Sequence, residues 1–237
     1  MTKTRDAIED LKALLLTGEV QAGERLPPEA DLASRLGISR NVLREAVRAL
    51  VHGGVLRTRQ GDGTYMGDLD PSELLDGVAL YTRLATGSRL LQVLEARRTI
   101  EPQLTAMAAV RIDEPTLAAL DELVDRMTNA TSESERIDSD IAFHRLIAET
   151  SGNELLAGFL DALAQVTVRP RVWRAVVDAG SLDVQLHQHR SIVEAIRARD
   201  PEAARAAAVV HLADVERFFA GNAGDIDEAV AEPGAEQ

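Results

Sequence analysis

From residue 72 to about residue 220 the apolar side chains recur with the 3.6-residue period of a helix. Breaks near Gly87, Asp113-Glu114-Pro115, Asn129–Ser134, Gly152-Asn153, Gly180 and Asp200-Pro201 divide this stretch into about seven helices. A chain so patterned has to bury its apolar stripes helix against helix. Residues 1–66 follow another plan. Ile8, Leu11 and Leu15 mark an amphipathic helix ending near Thr17-Gly18, and Leu26-Pro27-Pro28-Glu29 opens a short second helix. Gly37 turns the chain, and a third helix runs from about Arg40 to His52 until Gly53-Gly54 breaks it. The β-prone pieces Val55–Arg59 and Thr64–Met66 then flank Gln60-Gly61-Asp62-Gly63 as a hairpin. Residues 67–72 read as a linker, and residues 221–237, rich in Gly, Ala and acids, are expected to be disordered. The expected fold is mostly α: an N-terminal helix-turn-helix with a hairpin at 1–66 and an all-helical bundle of six or seven helices at 73–220.

Charge separates the same two regions. The formal net charge of −13 is unevenly spread: residues 1–66 hold ten Lys/Arg against nine Asp/Glu, and the rest hold sixteen against thirty. A nearly neutral first region with clustered arginines can still attract phosphate, because the relevant field is local. No cysteine is present, which excludes disulfides and any Cys-based metal or catalytic site. The N-terminus lacks an apolar signal core and no apolar run reaches membrane-spanning length, so a cytoplasmic protein is expected.

In the first region, Ala33 allows close helix approach, Gly37 supplies a positive φ, Ile38 plugs the core and Ser39 can cap the next helix. At 100° per residue, Leu43, Ala46, Val47 and Leu50 share one face of that helix. Arg40, Asn41, Arg44 and Arg48 share the neighbouring face, with the guanidinium and amide groups that contact phosphates and base edges. The alternative is a solvated arginine face on an ordinary surface helix, which the glycine-tipped hairpin disfavours.

The same angular test singles out polar residues in the second region. Asp140 and His144 fall inside the apolar arc of Ile137, Ile141, Ile147 and Ala148. His189 lies within about 60° of Leu182, Leu186, Ile192, Val193 and Ile196, whereas His187 points to the far side. His211 lies among Ala204, Ala207, Ala208, Val215 and Phe218. One inward histidine is usually a satisfied core group; three with an aspartate point to a metal site, because burying them without partners costs several kcal/mol. Arg97 is inward too, unlike Arg98, and needs an anion: either Glu101 one turn along or a bound carboxylate.

Several runs resemble the winged helix of GntR-family transcriptional regulators. They are Glu24-Arg25-Leu26-Pro27-Pro28-Glu29, Leu32-Ala33, Leu36-Gly37-Ile38-Ser39-Arg40, Val42-Leu43-Arg44-Glu45-Ala46 and Gln60-Gly61-Asp62-Gly63-Thr64. The resemblance implies DNA contacts from Ser39, Arg40, Asn41 and Arg44, with Gly61 in or beside the minor groove. Two departures, Ala30 where an arginine is usual and the acidic Asp62 in the wing, predict altered operator preference or weaker affinity. The second region resembles the FCD effector domain of the FadR subgroup. The matching pieces are Glu95-Ala96-Arg97 with Glu101-Pro102, Asp140-x-x-Phe143-His144, Ser151-Gly152-Asn153, His189-Arg190 with Glu194-Ala195-Ile196, Asp200, and His211-Leu212. That resemblance implies a divalent metal held by Asp140, His144, His189 and His211, with small organic acids bound beside it. Zn²⁺ is expected first, then Ni²⁺, Mn²⁺ or Fe²⁺.

The expected function is a ligand-responsive transcriptional regulator, a repressor by family analogy. It would bind a palindromic double-stranded DNA operator as a homodimer and sense a small carboxylate through the metal and Arg97. The rival is a metal-dependent hydrolase or lyase using the Asp/His₃ site, for which Glu101 and Glu149 are the available acids. A third reading, a dimerisation module with an inert metal, leaves Arg97 unexplained.

Overall fold

The computed structural model describes residues 3–68, 71, 75–83, 88–164 and 182–222. The chain divides into two compact units, Met1–Leu74 and Leu75–Gln237. The first contains α1 (Lys3–Leu16), α2 (Glu29–Arg35), α3 (Arg40–His52), β1 (Leu56–Arg59) and β2 (Gly63–Met66). Ala7, Leu11, Leu14 and Leu15 of α1 pack with Leu32 and Ala33 of α2 and with Leu43, Ala46, Val47 and Leu50 of α3 in one buried cluster. Helix α2 starts at Glu29, with Pro28 before it supplying no side-chain cap. Gly37 has φ +64°, Ile38 N–H bonds the Ala33 carbonyl at 3.0 Å, and the Ser39 hydroxyl accepts from Val42 N–H at 3.4 Å. These contacts set the angle at which α3 leaves α2.

Strands β1 and β2 pair antiparallel with Leu56 opposite Met66 and Arg59 opposite Gly63. The segment before α2 joins them: Leu26 N–H donates to the Thr64 carbonyl and Met66 N–H to the Glu24 carbonyl, both at 2.8 Å. Residues 67 and 68, expected at the head of a linker, pack onto this module. Gly67 N–H bonds the Val55 carbonyl at 2.9 Å, and a Cβ at Gly67 would stand 2.8 Å from the Gly54 carbonyl oxygen, so the approach requires glycine. Asp68 forms an ion pair with Arg57.

The second unit contains α4 (Asp76–Arg83), α5 (Ser88–Arg111), α6 (Glu114–Asn129), α7 (Glu133–Thr150), α8 (Glu154–Ala164), α9 (Leu182–Arg197) and α10 (Pro201–Gly221). The expected breaks at Gly87 and Gly180, and the expected tail beyond residue 222, lie outside the described residues. The other breaks are helix caps. Asp113 accepts from Thr116 N–H at 2.9 Å, Ser132 from Glu135 N–H at 3.2 Å, and Asp200 from Glu202 and Ala203 N–H at 3.0 Å each.

Helix α7 is buried on two sides. Phe143 and Ile147 join Leu117, Leu120, Val124 and Met127 of α6, together with residues of α9 and α10, in the main core. Ala148 packs with Leu104 of α5 and Leu160 of α8 in a second cluster. A helix so placed can turn polar residues toward several neighbours at once.

Because nothing lies within 4 Å of a Cβ built at Gly37, Gly37→Ala tests the positive φ alone. We expect a loss of about 1–2 kcal/mol, read as a lower urea midpoint for the first unit by circular dichroism; an unchanged midpoint would contradict the turn.

Candidate functional site

Arg40, Asn41, Arg44 and Arg48 are exposed on α3, while Leu43, Ala46, Val47 and Leu50 are buried, as the angular test requires. Asn41 accepts a hydrogen bond from Arg44, and Arg48 pairs with Glu45 at 2.7 Å. These local contacts keep the guanidinium groups on one face. At the hairpin tip Gly61 has φ +76° and open space around it. Asp62 does not present a bare charge there. Its carboxylate lies 3.6 Å from Arg25 Nη1 and accepts from the Tyr65 hydroxyl, and its backbone carbonyl accepts from Arg25 Nη2. Arg59 stacks over the Tyr65 ring at 4.3 Å. The acid is tied to Arg25 and Tyr65 within the wing.

In the second unit, His144 on α7, His189 on α9 and His211 on α10 converge, with one ring nitrogen from each within 4.8 Å of the others. Their ring centroids lie 4.6–5.5 Å apart. Asp140 stands beside two of them: its Oδ1 is 3.2 Å from His189 Nε2 and 3.7 Å from His144 Nε2. Phe143, fully buried, packs its ring 4.8 Å from His189 and 5.4 Å from His144, which holds both imidazoles in place. His187 is exposed on the far side of α9. The inward and outward histidines of α9 are thus separated as their spacing predicts.

Burial pushes the His211 pKa well below the ordinary imidazole value, and repulsion from His189 and His144 adds to this against the attraction of Asp140 and Glu101. A neutral imidazole is the form that binds a metal. Three imidazoles beside one carboxylate, buried and free of thiols, are a donor set suited to Zn²⁺ and its first-row neighbours. The residues present fit a divalent ion.

Arg97 and Glu101 of α5 form a buried ion pair, with side chains 2% and 4% exposed. Glu101 Oε2 also lies 3.1 Å from His144 Nδ1. Burial alone would raise the Glu101 pKa, but the Arg97 guanidinium and His144 together hold it well below the usual carboxylate range. Glu101 is therefore an anion committed to two partners, and Glu149, the other acid a hydrolase would use, is exposed on α7. Of the two anions weighed for Arg97, the structure contains the internal one. The link from Glu101 to His144 escaped the sequence, as did Gln188, whose Oε1 lies 3.0 Å from His211 Nδ1. Both join residues on different helices, which periodicity within one helix cannot reveal. A pocket between α5, α7 and α8 reaches this group; Arg97, Glu101, His144, Ala148, Arg145 and Asp161 line it. Arg145 Nε and Asp161 Oδ1 pair across it at 2.8 Å.

Residues 3–66 match the bacterial regulatory proteins of the gntR family, and residues 92–214 match the FCD domain. The chain belongs to the gntR family of bacterial regulatory proteins. Among its gntR relatives, the HTH-type transcriptional regulator YcbG of Bacillus subtilis is 31% identical over 84% of this chain and 82% of its own length. The galactonate operon transcriptional repressor of Escherichia coli is 26% identical over 92% of this chain and 96% of its own. The solved structure of a Streptococcus agalactiae GntR protein superposes with a TM-score of 0.66 at 29% identity, covering 91% of this chain and 99% of that one. The first unit is accordingly a DNA-binding helix-turn-helix with a two-stranded wing, and the chain is a transcriptional regulator. Among the described residues, no helix is long and apolar enough to cross a membrane.

A buried pair behaves differently when one partner or both are removed. Arg97→Met strands the Glu101 carboxylate and should cost about 3–5 kcal/mol, whereas Arg97→Met with Glu101→Met should recover most of that loss. Chemical denaturation of chelator-treated protein measures both; equal losses in the single and double variants would contradict the pairing.

Proposed function

We propose that this regulator is a metal-dependent sensor of small hydroxylated carboxylates that acts as a cytoplasmic repressor. The observation that carries the reading is the convergence of three buried histidines, one from each of α7, α9 and α10, in a domain joined to a winged helix. Asp140, His144, His189 and His211 would hold one divalent ion, Zn²⁺ in the first instance, which supplies a Lewis-acidic site for a carboxylate oxygen. Arg97 lines the adjoining pocket and would pair with the same ligand, forming charge-assisted hydrogen bonds. The similarity to the galactonate operon repressor points to a sugar acid as the kind of effector, since galactonate carries both a carboxylate and hydroxyls.

On the DNA side, Ser39, Arg40, Asn41 and Arg44 would contact an operator half-site from the start of α3, with Gly61 letting the wing backbone approach the minor groove. Two copies in a homodimer would read the two halves of a palindrome. The effector changes operator affinity to the extent that it binds the DNA-competent and incompetent arrangements differently. Ala30 removes one guanidinium from this surface and should alter operator preference.

The metal and DNA assignments separate cleanly. Purified protein should carry about one divalent ion per chain by elemental analysis. The ion should be lost in His189→Ala and His211→Ala and kept in His187→Ala; loss in His187→Ala with retention in the other two would overturn the assignment. Arg40→Ala and Arg44→Ala should each weaken operator binding by about 1–3 kcal/mol in fluorescence anisotropy while metal content stays unchanged. Unaltered operator affinity in both would remove α3 from the recognition surface.

A further inference from the structure

Glu101 and Gln188 lie outside the proposed donor set, yet each holds the Nδ1 side of an imidazole that belongs to it. Glu101 Oε2 is 3.1 Å from His144 Nδ1, and Gln188 Oε1 is 3.0 Å from His211 Nδ1. A carboxylate and an amide carbonyl oxygen are both acceptors, so a neutral ring beside either would carry its proton on Nδ1 and keep the lone pair on Nε2. Two of the three rings turn Nε2 toward the acid of the proposed donor set. His144 Nε2 and His189 Nε2 both face the same oxygen of Asp140, at 3.7 and 3.2 Å. Glu101 is itself fixed, because its other oxygen accepts from Arg97 Nε in a pair that is almost entirely buried.

We propose that Glu101 and Gln188 are positioning residues of the metal centre: each selects the Nε2-donating tautomer of one histidine, and Arg97 locks Glu101 in place. The inference rests on the metal reading of the site. It also gives the buried pair a purpose that stability does not supply, since two apolar side chains of similar volume would serve the core at least as well. Glu101 adds negative charge behind His144, an effect that the neutral Gln188 lacks at His211.

The test uses the full-length chain, stripped with chelator and titrated with Zn²⁺ alone against a chromophoric competitor. Arg97→Met/Glu101→Met, which leaves no charge stranded, and Gln188→Leu should each stay folded and bind Zn²⁺ about 10–100-fold more weakly than wild type. Gln188→Glu, which keeps an acceptor oxygen toward His211, should retain wild-type affinity. Affinities within twofold of wild type in both disruptive variants would overturn the positioning role. A wild-type chain that takes up no Zn²⁺ would overturn the metal reading first and this inference with it. Should the double variant fail to fold, long-range ¹⁵N–¹H NMR of the metal-free wild type decides: Nδ1 protonation of His144 and His211 is expected, and Nε2 protonation of either contradicts the proposal.

Discussion

Three imidazole rings share one small buried volume, where burial and the neighbouring rings push the His211 pKa well below its ordinary value, and much of the second unit is arranged around that crowding. His144, His189 and His211 come from three helices, so no local segment can form the group. Helices α9 and α10 are joined through Arg199, at φ 53°, and Asp200, which caps α10 with two backbone hydrogen bonds. His189 and His211 lie equally far on either side of Asp200, so this turn brings their rings to 4.6 Å. Helix α7 completes the group because it is buried on two sides, with Phe143 toward the main core and His144 toward Glu101. Asp140 and Glu101 place carboxylates on opposite edges of His144, at Nε2 and Nδ1 respectively.

The charges in this centre form a series. Arg97 balances Glu101, Glu101 orients His144, and His144 shares with His189 the oxygen of Asp140. The pocket beside α8 reaches the first three residues of that series. Under the proposed reading, a carboxylate beside the metal would meet a guanidinium already engaged by an internal carboxylate, and effector binding and metal affinity would be linked reciprocally. The wing shows comparable internal balancing, with Asp62 held by Arg25 and Tyr65.

Much of this was legible in the sequence because helix periodicity reports direction. It separated His189 from His187 and Arg97 from Arg98, and it placed the α3 arginines on the face next to Leu43 and Val47. Capping residues located the ends of α6, α7 and α10 through Asp113, Ser132 and Asp200. Direction does not name a partner across space. Glu101 could be assigned to Arg97 because they lie one turn apart, but its second contact depends on how α5 meets α7. Gln188 falls about 100° from His189 and finds His211 only through the α9–α10 packing. The contact of Asp62 with Arg25 was not legible because Arg25 lies 37 residues away and reaches the wing only where the segment before α2 bridges Tyr65.

The central claim is that these histidines form a single nitrogen-rich metal site, and X-ray absorption at the zinc edge of the reconstituted full-length chain tests it most directly. The account predicts a first shell of nitrogen and oxygen donors at about 2.0–2.1 Å, with outer-shell scattering from three imidazoles. A shell of oxygen donors with one imidazole or none would place the ion on surface carboxylates and contradict the account.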